Sequence, residues 1–328
     1  MKNLVTALIT SAFILTAGPV LAQATIKIDG SSTVFPVAEA VAEEFQALKK
    51  GQTRVTVGIA GTGGGFKKFC RGETDISNAS RPILKEEMDA CKAAGISYIE
   101  LPIAFDALTL AVHPQNTWAK DMTLADLKKI WSPEAQGKIM KWKDVRPEWP
   151  DLPLKLYGAG ADSGTFDYFT EAVNGKAKAI RADYTPSEDD NVLVQGIEND
   201  KGALGFIPYA YYAPHANRMK ALGIDGGKGV VLPEEKTVID GSYTPMSRPL
   251  FIYVKASETK RPEIKEFVEF FLNKGEPLIK EVKYVPLPKS AYTTALARFN
   301  TGETGTGFAG TPEVGLSIAQ ILAKKPVH

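Results

Sequence analysis

The sequence predicts an α/β protein folded as two lobes around a cleft, each lobe a mostly parallel sheet flanked by helices. Three observations predict it. Short β-rich runs alternate with helical patterns along nearly all of the 328 residues, the order that gives parallel strands joined by helical crossovers. Two strongly apolar runs, near 100–113 and 247–254, bracket a middle segment. A chain that leaves one sheet and later returns to it makes two lobes, two hinge strands and a cleft that suits a small ligand. Finally, three stretches rich in Ser, Thr and Gly each run into an apolar helical face, and helix mouths of this kind favour anions.

In chain order, Lys2, an apolar run from Leu4 to Leu21 and small residues up to Ala24 read as a secretory leader, 1–24, cleaved after Ala22 or Ala24. No Cys follows it to carry a lipid anchor, and no later run is long and apolar enough to span a bilayer. The expected mature protein is soluble and exported to the periplasm. The first mouth, Ile28–Pro36, opens a helix whose Val34, Val37, Val41, Phe45 and Leu48 share one face. Pro36 has no N–H and belongs in the first turn, which starts the helix near Ser32–Thr33. Main-chain N–H groups and the hydroxyls of Ser31, Ser32 and Thr33 then gather at its end.

Capping alone accounts for any one such cluster. The arrangement recurs, however, at Gly61–Gly65 before Phe66–Phe69 and at Ala161–Thr165 before Phe166, Phe169 and Val173, and three similar mouths ask for a shared ligand.

Around these mouths, strands are expected at Arg54–Ile59, Asp75–Asn78, Ser97–Ile103, Thr109–His113, Leu154–Tyr157, Ala203–Ile207 and Pro249–Val254. Helices are expected at Phe66–Cys70, Lys85–Ala94, from the cap Thr123 to Trp131, at Asn191–Glu198, along the face Ile264, Phe267, Val268 and Phe271, and at Pro312–Lys324. Residues 132–153, 223–242 and 301–310 read as connections, loops or edge hairpins.

The length exceeds what one core usually organises. Without Lys2 the basic and acidic residues are equal in number, which argues against nucleic acid or an anionic membrane as partner. Cys70 and Cys91 are the only cysteines; in an exported chain they pair as a disulfide, with two free buried thiols as the alternative. Three scattered histidines and no zinc-like spacing predict neither metal nor cofactor. No enzyme is expected: Ser163 lacks a nucleophile elbow because position 161 is Ala, no Ser-His-Asp arrangement is evident, and 61–66 lacks the Gly-Lys-Ser/Thr of a P-loop.

Five motifs carry a resemblance: Asp-Gly-Ser-Ser-Thr-Val-Phe-Pro (29–36), Gly-Thr-Gly-Gly-Gly-Phe (61–66), Asp-Ile-Ser-Asn-Ala-Ser-Arg-Pro (75–82), Asp-Ser-Gly-Thr-Phe (162–166) and Gly-Ala-Leu-Gly-Phe-Ile-Pro-Tyr (202–209). Each is weak alone; together, in this order, they resemble the phosphate-binding protein of the phosphate ABC transporter, PstS type. The likeness runs through most of 25–290. It implies a two-lobed periplasmic binding protein of type II, with lobe 1 from 25–105 and 250–328 and lobe 2 from 106–249. It also implies inorganic phosphate in the cleft, an inner-membrane permease with its ATPase subunits as partners, and a monomer.

By the same resemblance, the first mouth supplies Thr33 and Val34 with Ser32 adjacent. The Gly-rich turn supplies Thr62, Gly63 and Gly64, and the third mouth Ser163, Gly164 and Thr165. Two departures stand out: Ala159 stands where many members have Arg, and Arg81 where many have a ligand-contacting Asp. Arg81 is thus the expected cation facing the anion, since a guanidinium binds phosphate bidentately. Selectivity over sulfate needs an acceptor, because phosphate still carries a proton near neutrality and sulfate does not. Asp106 ranks first for it, ahead of Asp162 and Asp75. The alternatives are another tetrahedral oxyanion, namely sulfate, tungstate or molybdate, and a non-transport adhesion or sensory module.

Overall fold

Alternation of strand and helix builds each end of the molecule. The computed structural model describes residues 23–311, 313, 315, 316 and 318–327; the expected leader lies outside these except for Gln23 and Ala24. The chain begins with β1 (Ala24–Gly30), α1 (Phe35–Leu48), β2 (Thr53–Val57), α2 (Gly61–Phe69), β3 (Ile76–Ala79) and α3 (Lys85–Ala93), then the long β4 (Tyr98–Val112).

The middle carries β5 (Asp121–Thr123), α4 (Leu124–Trp131), α5 (Trp142–Val145), β6 (Lys155–Ala159), α6 (Gly164–Asn174), β7 (Thr185–Ser187), α7 (Asp190–Asn199), β8 (Ala203–Pro208) and α8 (Tyr209–Tyr212). The short β9 (Lys220–Ala221), β10 (Gly223–Asp225), β11 (Val230–Val231) and α9 (Glu235–Ile239) precede β12 (Ser247–Lys255). After it come α10 (Pro262–Glu281), β13 (Val285–Pro286), α11 (Lys289–Thr301) and α12 (Ile318–Ala323).

The strands follow the order β2-β1-β3-β12-β4-β8-β6-β7. Pairing is parallel at both ends, β2-β1-β3 and β8-β6-β7, and antiparallel in the middle, where β12 pairs with β3 and β4, and β4 with β8. β4 joins the two halves: through Ala107 it faces β12, and from Leu108 it faces β8. Buried along its whole length, it reads as the largely apolar run that a strand covered on both faces requires, interrupted by the buried carboxylates Glu100 and Asp106. In the first half, Phe45 of α1 meets Phe267 of α10 edge-on at 5.3 Å. In the second, Trp131 packs on Phe169 and Phe206, whose rings stack at 4.0 Å.

Local differences from the expected elements have physical reasons. α1 starts at Phe35, after a turn at 32–34, with Val34 at the cap and Pro36 in the first turn. Leu48, placed on the buried face by periodicity, is exposed in the last helical turn. α2 runs through the glycines themselves, so Gly63 and Gly64 are helical residues rather than a preceding loop. The two strands expected at 97–103 and 109–113 are one, because buried Asp106 has a cross-strand partner and does not break the ladder. The helix α11 was not anticipated. The expected last helix from Pro312 is Ile318–Ala323 among the described residues, and Pro312 itself lies outside them.

Cys70 and Cys91 form a disulfide across a sequence separation of 21, fastening α2 to α3. Closing a loop of that size restricts the unfolded chain, and reduction should lower the unfolding free energy by about 3 kcal/mol. Chemical denaturation with and without reductant measures this directly.

Candidate functional site

The three mouths converge. Gly30 ends β1 at φ +139°, and a Cβ there would lie 2.2 Å from the Asn78 carbonyl; glycine therefore brings the start of the first mouth against the end of β3. Ser31 Oγ then donates to Ser80 Oγ at 2.9 Å, and the Ser80 hydroxyl lies 3.2 Å from Thr62 Oγ1. A Cβ on Gly164, at the start of α6, would sit 2.4 Å from Ser80 Oγ and 2.6 Å from Thr62 Oγ1, so only glycine lets the third mouth approach so closely. Beside this group, Thr33 Oγ1 and Thr165 Oγ1 lie 3.0 Å apart, both fully buried.

A charged pair faces those two hydroxyls. Arg248 and Asp106 are direct cross-strand partners on β12 and β4. Arg248 Nη2 donates to Asp106 Oδ2 at 3.0 Å, to Thr165 Oγ1 at 2.7 Å and to Thr33 Oγ1 at 3.2 Å, and Nε donates again to Asp106 Oδ2 at 3.2 Å. Arg248 Nη1 is buried with no partner. Burial pushes the Asp106 carboxyl up to about 6, while Arg248 and the N–H groups of Tyr209 and Ala107 pull it down.

Ser32, Thr33, Val34, Thr62, Gly63, Arg81, Asp106, Ser163, Gly164 and Thr165 are all buried, but they do different work. Ser163 caps α6, its Oγ accepting from the Thr165 N–H at 3.1 Å. The Val34 N–H reaches Ser31 Oγ at 3.4 Å, and the Gly63 N–H donates to the Asp162 carbonyl at 2.9 Å. Gly64 is half-buried, and a Cβ there would face Ala60.

Arg81 departs from expectation. Its guanidinium donates from Nε to Asp167 at 2.5 Å, from Nη1 and Nη2 to both oxygens of Glu87 at 2.8 Å, and from Nη1 to the Pro82 carbonyl. Two carboxylates already answer its charge, so it is not the cation free to meet an anion. The arginine among the mouth hydroxyls is Arg248. Asp162 and Asp75 are also accounted for, the first paired with exposed Lys67 and the second with Arg261 and the Lys27 N–H.

Sequence reasoning missed Arg248, Ser80 and Asp190. The signal for Arg248 was a lone charge opening an apolar strand, where a buried charge must be paired or functional. Asp190, in the first turn of α7, looks like an ordinary helix-start acid, yet it is 1% exposed and its Oδ2 has no partner.

Fold and site together define a two-lobed binding protein in which hydroxyls from three helix starts meet beside the buried pair of Arg248 and Asp106. A family model described as "PBP superfamily domain" matches residues 16–274. The chain belongs to that superfamily, and its relatives place it with the phosphate-binding proteins of PstS type. It is 49% identical over 307 residues to Protein SphX of Synechococcus elongatus, covering 93% of this chain and 90% of the relative. It is 39% identical over 271 residues to the phosphate-binding protein PstS of Staphylococcus saprophyticus, covering 82% of each. Among solved structures it resembles a putative phosphate ABC transporter substrate-binding protein with bound phosphate from Clostridium perfringens. That match has a TM-score of 0.68 at 29% identity and covers 80% of this chain and 100% of the other.

The two arginines make separable predictions. Arg248→Ala should weaken anion binding about 10- to 100-fold, the worth of a lost hydrogen bond to a charged group, as read by calorimetric titration. Asp167→Asn leaves Arg81 its two bonds to Glu87 and should cost less affinity than Arg248→Ala.

Proposed function

We propose that this chain is an exported solute-binding protein that captures inorganic phosphate between its lobes and delivers it to an inner-membrane ABC permease driven by its ATPase subunits. One observation carries the reading: Thr33 from one half and Thr165 from the other meet each other and Arg248 within 3.2 Å. Hydroxyls and an arginine from facing elements surround a point only when the halves are together. That is the requirement for holding an anion in hydrogen bonds away from water.

The lobes in this reading are 25–105 with 250–328, and 106–249; the change of partner along β4 between Ala107 and Leu108 supports a boundary there. Ser32, Thr33, Val34, Thr62, Gly63, Gly64, Ser163, Gly164 and Thr165 form the proposed phosphate site with Asp106, and Arg248 takes the role first given to Arg81. Removal of a leader, a periplasmic location and a monomeric state belong to the same proposal. No helix among the described residues is long and apolar enough to cross a membrane. The protein's work is binding rather than catalysis.

Asp106 supplies selectivity. As a carboxylate it accepts the proton of phosphate and repels sulfate. Its carboxyl is raised to about 6, so it is ionised at pH 8 and protonated at pH 5, where the repulsion disappears. Titration calorimetry should therefore find tight phosphate binding and little sulfate binding at pH 8, with sulfate gaining affinity at pH 5. A protein that binds no phosphate would overturn the function, and equal affinities at pH 8 would overturn the role of Asp106.

A further inference from the structure

Several contacts between the two halves come from one short segment at the start of α6. Thr165 meets Thr33, the Gly63 N–H donates to the Asp162 carbonyl, Lys67 pairs with Asp162, and Arg81 pairs with Asp167. The two ion pairs differ in burial. The side chains of Lys67 and Asp162 are 63% and 45% exposed, and solvent leaves such a pair worth little. Those of Arg81 and Asp167 are 2% and 3% exposed.

Arg81 sits in a socket that its own half builds. Glu87 of α3 accepts from Nη1 and Nη2 at 2.8 Å, the Pro82 carbonyl accepts from Nη1 at 3.1 Å, and the guanidinium carbon lies 5.8 Å from the centre of the Phe66 ring in α2. A guanidinium is a rigid fork of N–H donors. With both Nη atoms engaged on this side, Nε is left for the other half, where it donates to Asp167 Oδ2 at 2.5 Å. Asp167 stands three residues along α6 from Gly164, whose missing Cβ allows the approach to Ser80. The same face of α6 thus brings the third mouth to Ser80 and a carboxylate to Arg81. Asp167 Oδ1 is buried without a partner, so the bond from Arg81 is what answers this charge.

We propose that Arg81 is a preformed socket for Asp167, and that their contact is the latch of the closed cleft, setting how long a bound anion is kept. Asp167 is then a positioning residue that acts through Arg81 rather than on the guest. The inference rests on the phosphate-binding reading and on separation of the halves at the boundary in β4. When the halves part, Glu87 still neutralises Arg81 and holds it in place, so the bond to Asp167 forms on closure with little further ordering of the guanidinium. Opening has to pull Asp167 off the guanidinium where water is excluded and the bond is at its strongest. The latch therefore weighs on release more than on capture.

The test is the rate at which radiolabelled phosphate leaves the full mature chain under excess unlabelled phosphate. Combined with dissociation constants from calorimetry, it also gives the association rate. Asp167→Ala leaves Nε buried without a partner on closure, so release should quicken about tenfold while association stays within about twofold of the wild type. Asp167→Asn keeps an acceptor oxygen for Nε and should lie nearer the wild type. Asp167→Leu fills the space without an acceptor and provides the same readout if Asp167→Ala does not fold. Thermal melts give a second measure: the latch is made only in the closed form, so the phosphate-loaded variant should lose more melting temperature than the phosphate-free one.

Unchanged release in the variants without an acceptor, or melting temperatures that fall equally with and without phosphate, would make the pair a structural contact and overturn the inference. So would a loss of affinity carried by slower association. Wild-type protein that binds no phosphate would instead overturn the functional reading on which this one rests.

Discussion

Much of the molecule is arranged around one fully buried ion pair, Arg248 with Asp106, directly opposed on the two strands that join the halves. Such a pair is poor value for stability, because taking both charges out of water costs several kcal/mol per ion and their attraction repays it only with good geometry. Its position suggests what it is for. Sitting where the chain crosses between the halves, it places a guanidinium beside the mouth hydroxyls from a buried central strand instead of from a loop. Asp106 then receives the Tyr209 N–H as well, so the carboxylate is also held from α8 and the guanidinium is aimed by its partner.

Around that pair the mouths are built from neutral groups, and glycine sets how near they come. Gly164 allows the start of α6 to touch Ser80 and Thr62. A Cβ on Gly65 would lie 2.5 Å from the Gly30 Cα, so α2 can seat against the end of β1 only without one. Closeness obtained by deleting side chains leaves main-chain dipoles and short hydroxyls as the lining, groups that lose little rotamer entropy when fixed. The half-to-half contacts outside the site follow another rule. Arg81 holds Glu87 on its own side and Asp167 on the other, so its charge stays compensated by Glu87 if the lobes separate, whereas Asp167 would lose its partner.

How far the sequence revealed this depended on whether local pattern or tertiary pairing decided each feature. Alternating elements, crossover runs and three hydroxyl-rich mouths are local, and they placed Thr33, Thr62 and Thr165 within one cleft. Helix periodicity found the packing of Val37, Val41 and Phe45 and overreached only at Leu48, where the helix end turns to solvent. The choice between Arg81 and Arg248 was not local. Both are lone arginines next to proline in apolar surroundings, and only the fold reveals that Glu87 and Asp167 take one while Asp106 and two threonines take the other. Ser163 caps α6, and capping is compatible with its place in the proposed site, because a hydroxyl that accepts from the backbone still has a proton to give.

Charge balance is what would let the proposed site discriminate between anions. Arg248 is the cation that bonds to the mouth hydroxyls of Thr33 and Thr165, and Asp106 already offsets it, so the proposed site offers an anion directed hydrogen bonds more than net positive charge. Attraction by net charge would favour the most highly charged anion and fall off with salt. Directed bonds favour the anion whose pattern of donors and acceptors matches. A guest carrying a proton satisfies a carboxylate that an unprotonated guest leaves facing a negative oxygen, and inside a water-excluded cleft such a mismatch is far more costly than in solution. In the proposed phosphate site the buried ion pair gives up affinity that a bare arginine would have provided, and the protonation state of the guest becomes the property that decides binding.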